Sequence, residues 1–598
     1  MNNLAEPITT EVVSAVCGER QHTANSGVEV VRGVGTQRPI FLIHDIHGQV
    51  AYGTALLRHV DVDMPAYGLL GVLPHEELPH TMEAFAKRCI LLMRALQPAG
   101  PYRVAGLSFG GILAYEIAVQ LIGEDQEVEF LGLIDSVCPT LLRNPSPMTS
   151  VPSIEEQLLN CCAENEDARD SANAIARATL QSTTALDFEH LLQHCRAARI
   201  LPEYLNGKGT DQIRRHLARL SAHQYAQQHY AVQQLPIPAH VFSFTQDSQP
   251  RVKSADPLKG WGAFLPRNRL HSIRVSGSPG SMLSPPHVAA LGREFEEAIR
   301  KVARGSLPHV TLLETSYCPR VSIQTGRRGL VPIFCVPGAG NSVTDFTAWA
   351  QAVGEEWPVH GLQPRGVSND LVPHSTVQAA ALQYLASIDE AHSHGPLHLV
   401  GHSFGGWSVL ELACLMRARG RTIASLTIID GDAPDTQGPL GRDYTATEVL
   451  MELVDMIEMA VDQPLGIRAV DLAPLDDAGR LQFLHQALVR VGMMPMRGKA
   501  SALVGIVRTF GTALRTTYRP SAPYPDPLRL VTVRDTRTTA DIDKRRREKQ
   551  VQDWLPWAPR LSTWEGPGNH MTLLDHPHVV VVADWWRSGL CHSAAPGS

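Results

Sequence analysis

The chain has little of what would place it among several large classes of protein. No C-x-x-C pair occurs among its ten cysteines, and Cys161-Cys162 is the only adjacent couple. That argues against a disulfide framework or a zinc site and for reduced thiols in a cytoplasmic setting. No apolar run approaches the ~20 residues that cross a bilayer. The N-terminus, Met1-Asn2-Asn3-Leu4-Ala5-Glu6, lacks a basic stretch followed by an apolar one, so no secretory leader is expected. Charge of one sign is scarce as well. The net charge is −7 over 598 residues, and the one basic block, Lys544-Arg545-Arg546-Arg547, reads as a solvated loop rather than a nucleic-acid patch. Membrane and nucleic-acid partners are therefore not expected. With 44% hydrophobic and 19% charged residues, the composition is that of an ordinary globular protein.

What is present is a device that occurs twice. Gly401-His402-Ser403-Phe404-Gly405 follows the apolar run Leu397-His398-Leu399-Val400 and precedes a helical pattern. Strand, sharp turn and helix with a serine at the tip make a nucleophile elbow, and the glycines are there because a Cβ would clash. Gly106-Leu107-Ser108-Phe109-Gly110 has the same surroundings after Tyr102-Arg103-Val104-Ala105. Other landmarks repeat too. Pro39-Ile40-Phe41 returns 293 residues on as Pro332-Ile333-Phe334, Asp135 returns 295 on as Asp430, and Pro286-His287-Val288 returns 291 on as Pro577-His578-Val579. The chain is read as a tandem duplication.

In each half, short apolar runs alternate with helical patterns such as Met82, Phe85, Ala86, Cys89, Ile90 and Met93. That alternation predicts an α/β fold with a mostly parallel sheet flanked by helices. Strands are expected at 28–31, 39–43, 65–71, 102–105, 127–134, 239–244 and 272–275. Between about 140 and 233 only helical stretches appear, notably 154–163 and 211–228, as in a lid inserted between late strands. A second lid is expected over 435–520, with Met451, Met456, Met459, Met493, Met494 and Met496 either adapting to a flexible chain or packing as helix core. The expected organisation is a loose leader over 1–26, a first α/β-hydrolase domain over 27–302, a linker over 303–316, a second domain over 317–588 and a tail over 589–598.

A serine hydroxyl needs a base within reach, and the base needs an orienting carboxylate. Asp430 ends the strand after the elbow, and parallel strands bring their C-terminal ends to one edge. His570, in the loop Gly566-Pro567-Gly568-Asn569-His570-Met571, opens on that same edge. Ser403, His570 and Asp430 are the expected triad, with Asp535 the alternative acid. The oxyanion needs two backbone N–H groups. Phe404 supplies one, and Gly338 is the first choice for the other, with Ala339 next.

The two halves resemble thioesterase domains of the nonribosomal peptide synthetase and polyketide synthase type. The resemblance rests on Pro332-Ile333-Phe334-Cys335-Val336-Pro337-Gly338-Ala339-Gly340, on His360-Gly361-Leu362-Gln363-Pro364-Arg365-Gly366 and on Leu399-Val400-Gly401-His402-Ser403-Phe404-Gly405-Gly406. It implies hydrolysis or cyclising release of an acyl or peptidyl group from a phosphopantetheine thioester. No cofactor or metal is implied, and no carrier segment is apparent, so the partner would be a carrier protein on another chain. The spacing of 27 between Ser403 and Asp430 resembles the releasing members, whereas editing members draw the acid from a later strand. The first half keeps Ser108 and Asp135, with Ile46 and Phe109 as doubtful oxyanion counterparts. The position of His570, however, falls on Pro279, which can neither take nor give a proton. His287, His271 and His47 are weak substitutes, so the first domain is expected to be inactive or accessory, or to bind an acyl chain or carrier without turnover.

Overall fold

In the computed structural model the described residues are 26–142, 150–163, 187–244, 256–303, 317–327, 329–368, 371–436, 438–535 and 537–593. The expected leader (but for its last residue), the linker after Ala303 and part of the first lid lie outside them. The chain forms two compact units, one closing with the helix His287–Ala303 and the other opening with the strand Arg320–Gln324.

The first unit holds β1 (Val28–Arg32), β2 (Ile40–Ile43), β3 (Ala66–Leu69), β4 (Tyr102–Leu107), β5 (Val128–Ile134), β6 (Ala239–Phe244) and β7 (Leu270–Val275). They lie in the order β1-β3-β2-β4-β5-β6-β7, and only the edge pair β1–β3 is antiparallel. The second unit repeats this with β8 (Arg320–Gln324), β9 (Ile333–Val336), β10 (Val359–Leu362), β11 (Leu397–His402), β12 (Ile423–Ile429), β13 (Leu528–Thr532) and β14 (Leu561–Glu565). Their order is β8-β10-β9-β11-β12-β13-β14, again with only the edge pair β8–β10 antiparallel. All seven strands expected in the first half are present.

The central strands are short continuous apolar runs because helices cover both faces. Every residue of Ile333–Val336 and of Leu397–His402 is buried. In both sheets the strand order reverses beside the elbow strand: β2 and β9 stand between the strand that follows them and the one bearing the serine. The crevice beyond the strand ends at such a reversal is where open parallel sheets place their ligands.

The helices Ile154–Ala163, Phe188–Ala197 and Thr210–His229 stand between β5 and β6. Between β12 and β13 stand Ala446–Val461, Asp477–Arg490 and Val504–Arg515. Among the lid methionines, Met493 and Met496 are exposed, the latter 85%, so neither is helix core. Two expectations are corrected. Lys544–Arg547 is not loop but part of the helix Ala540–Trp554, where Asp541 and Asp543 favour the first turn and Arg546 and Arg547 both pair with Asp543. The closing helix His578–Ser593 runs past 588, so its last turn is not tail. Among the described residues no helix is long and apolar enough to cross a membrane.

Candidate active site

The elbow geometry follows from close packing at its glycines. A Cβ on Gly401 would come within 2.5 Å of the Gly405 carbonyl oxygen, and one on Gly405 within 2.4 Å of that of Val336. Strand, turn and helix are thus pressed together, and Ser403 is forced to a left-handed φ of 51°. The helix Gly405–Ala418 starts immediately behind it. Asp430, at the end of β12, is also left-handed, with φ 45°.

The structure brings Asp430 and His570 together. His570 donates Nδ1–H to Asp430 Oδ2 at 2.8 Å. Gln550 donates from Nε2 to Asp430 Oδ1 at 3.4 Å and to the Gly431 carbonyl at 3.2 Å. Burial works to raise the Asp430 carboxyl, but the hydrogen bond and charge of His570 and the more distant Arg546 outweigh it and hold the group below the ordinary carboxylate range. The other ring nitrogen of His570, Nε2, has no hydrogen-bond partner among the described residues. Ser403 and His570 line one cavity of ≈ 370 Å³ but are not hydrogen-bonded to each other. Such bonds commonly tighten only when substrate is bound.

Asp535 also lines the cavity, but its Oδ1 accepts from Arg537 rather than from His570. Of the oxyanion candidates, Ala339 and Phe404 line this cavity with Ser403, Gly338 lies beside the nucleophile, where a Cβ would be 3.2 Å from Ser403 Cβ, and all three also line a neighbouring pocket.

Sequence reasoning missed His402. It is buried, and burial lowers its pKa to about 3, so the ring is neutral. Its Nε2 lies 3.0 Å from the His570 carbonyl oxygen and donates to it, tying the elbow to the loop that carries His570. The second G-x-S-x-G has Leu107 at this place, which was the available signal.

The first unit has the same backbone and different side chains. Ser108 and Asp135 are again left-handed, with φ 53° and 46°, and Ser108 is exposed. Asp135, however, is ion-paired with Lys259, both side chains being 8% exposed. The register confirms that position 279 corresponds to His570. Gly277 packs against His287 as Gly568 packs against His578, two residues before Pro279 and His570 respectively. None of the substitute histidines is hydrogen-bonded to Ser108 or Asp135 among the described residues. His47 stacks on His216, His271 stacks on His240, and His287 Nδ1 lies 3.2 Å from Ser276 Oγ. Above the doubtful oxyanion counterparts sits His223, from the helix Thr210–His229. It donates Nδ1–H to the Ile46 carbonyl at 2.7 Å and stacks on Phe109 at 4.6 Å. Among the described residues, no three His, Cys, Asp or Glu side chains gather so as to hold a metal ion.

Comparison with known proteins gives the family. The model of the thioesterase domain matches residues 38–212 and again 331–584, more than half of the chain. A nonribosomal peptide synthetase of Aspergillus terreus is 34% identical over 146 residues, 24% of this chain and 15% of that protein. The microperfuranone synthase of Emericella nidulans is 24% identical over 317 residues, 52% of this chain and 32% of that one. The chain thus spans less than half the length of either relative. Among solved structures, a NocB thioesterase domain in covalent complex with a fluorophosphonate nocardicin G analog is 20% identical, covering 44% of this chain and 95% of that one, with a TM-score of 0.31. The type II thioesterase BorB is 21% identical, covering 46% and 98%, with a TM-score of 0.33. With two matches, one on each α/β-hydrolase unit, the chain belongs to the thioesterase domain family and carries that domain twice.

Proposed function

We propose that the second unit releases an acyl or peptidyl chain from a phosphopantetheine thioester borne by a carrier domain, in secondary-metabolite biosynthesis. The observation that supports this most is the His570–Asp430 hydrogen bond on the cavity that holds Ser403. Ser403 Oγ attacks the thioester carbonyl carbon while its proton passes to His570 Nε2, and Asp430 keeps the imidazole in the tautomer that can accept it. The amides of Phe404 and Ala339 stabilise the oxyanion. Collapse breaks the C–S bond, and the thiol leaves with the proton from His570. Water, or a nucleophile within the chain, then attacks the acyl-Ser403 ester with His570 again as base. A release role is favoured over editing because the carboxylate that engages His570 is Asp430, not Asp535. Loading a panel of acyl groups on carrier proteins and weighing the products by mass spectrometry tests the reading. Release of only short stalled acyl groups would move it to editing.

The first unit has an accessory, non-catalytic role in this reading. Asp135 is already paired with Lys259, and Pro279 supplies no imidazole for it to orient. A serine-directed fluorophosphonate is therefore expected to label Ser403 far faster than Ser108, and Ser108→Ala should leave release nearly unchanged. Comparable labelling of both serines would mean that the first unit has a base, and His223 would be the next side chain to replace. The pairing also predicts that Pro279→His alone leaves Ser108 slow to label, because Asp135 is already engaged. Combining it with Lys259→Gln should speed the labelling. Equal rates in the single and double variants would show that Lys259 is no obstacle.

A further inference from the structure

The wall of the Ser403 cavity holds two carboxylates and a buried amide oxygen that have no partner among the described residues. Asp432, two residues past Asp430, and Glu452, on the helix Ala446–Val461, both line it. Neither carboxylate has a hydrogen bond or ion pair among the described residues. Gln550 lines the cavity too and is 6% exposed. Its Oε1 has no partner, since only its Nε2 is used on Asp430 and Gly431.

The cations of the same wall are engaged. Arg534 pairs with Glu565, Lys549 with Asp553, and Arg546 with Asp543 and the Val533 carbonyl. Arg546 Nε and the further N–H groups of the exposed Arg534 and Lys549 heads stay open, so what sets the wall apart is its two carboxylates without an ion pair. Burial pushes the Asp432 carboxyl up and Asp430 adds to this, outweighing the opposing charges of His570 and Arg546; burial and then Asp455 push Glu452 up against the charge of Arg442.

The duplicated unit supplies an internal comparison. Trp261 donates to the Ser136 carbonyl as Trp554 donates to that of Gly431, so the next residue, Val137, stands where Asp432 does. The carboxylate is present only in the unit with the Asp–His pair.

Building on the thioesterase reading of this site, we propose that the cavity selects an acyl chain bearing a cationic group, an amine or a guanidine. Asp432 and Glu452 are its specificity residues, and Gln550 Oε1 accepts a further N–H. An ammonium offers three donors and a guanidinium five, enough to satisfy all three acceptor groups. A neutral chain leaves two carboxylates desolvated and unpaired. The apolar part of the wall, which includes Leu440, Met456, Met459 and Phe510, takes the methylenes of such a chain.

The test compares two pantetheine thioesters, ω-aminohexanoyl and the isosteric heptanoyl, by the rate of thiol release from the full chain. Selectivity is read only on the rate that Ser403→Ala abolishes. The aminoacyl ester is expected to lead in kcat/KM by about tenfold or more, and Asp432→Asn and Glu452→Gln should each shrink that ratio. If neither ester turns over, protection of Ser403 from fluorophosphonate labelling by each ester gives the same comparison as binding. Equal rates, a lead for heptanoyl, or a proportional loss on both esters in Asp432→Asn would overturn the inference, the last making Asp432 a support of Asp430. Release that survives Ser403→Ala would instead sink the thioesterase reading of the site, and the selectivity with it.

Discussion

Ser403→Ala is expected to lower acyl release by about 10⁴-fold or more, with the fold intact. The hydroxyl is the only nucleophile that the elbow presents, and without it the covalent acyl-enzyme cannot form. What remains is the contribution of binding and of the two amides to direct attack by water. Alanine tolerates the left-handed φ of 51° no worse than serine does, so a folding defect is not expected. Circular dichroism together with single-turnover release from a loaded carrier measures both halves of this expectation. Retention of most of the turnover would remove the second unit as the enzyme.

The second large effect concerns the acid. Asp430→Asn should reduce turnover by about 10³–10⁴-fold, because the amide can present an N–H to His570 Nδ1 and favour the wrong tautomer. Asp535→Asn should be mild. Asp535 is at the same cavity, but its carboxylate serves Arg537 on the chain two residues away. The pair of variants therefore separates proximity from engagement. A reversed ranking would place the acid after the later strand and weaken the release assignment in favour of editing. Acid titration should also disable the site. The Asp430 pKa is depressed in the folded protein, so the stability it contributes is present above its unfolded value and is lost as pH falls through the folded one. An Asp430→Asn protein should lose less stability than the parent over that acid range, as read from urea unfolding.

The mostly parallel α/β architecture, the elbows and the duplication were legible because each leaves a pattern in the sequence: apolar runs alternating with helical periods, the G-x-S-x-G glycines, and landmarks that return at a nearly constant offset. The run Ile333–Val336 is apolar throughout and Leu397–His402 is buried despite His398 and His402; Gly401 is required by the nearby Gly405 carbonyl, and Gly405 by the distant carbonyl of Val336. The engagement of Asp430 by His570 could be expected from strand order, since both follow strands that run the same way to one edge. Less legible were features decided by distant partners. Lys259 reaches Asp135 across more than a hundred residues, and nothing around Lys259 marks it as the occupant of a triad aspartate. Lys544–Arg547 looked like a loop because four basic residues repel. The acids that relieve the repulsion, Asp543 and Glu565, come partly from the same helix and partly from a strand. The choice between Gly338 and Ala339 is a matter of turn geometry that composition does not carry.

The left-handed serine and aspartate have a consequence for how such sites are found. Both units hold this pair of backbone conformations to within a few degrees, yet only one has a histidine on its aspartate. The strain is therefore a property of the scaffold that duplication copies intact, and it is not evidence that chemistry takes place there. A search keyed on main-chain shape would count two hydrolases in this chain. One keyed on what the carboxylate holds would count one.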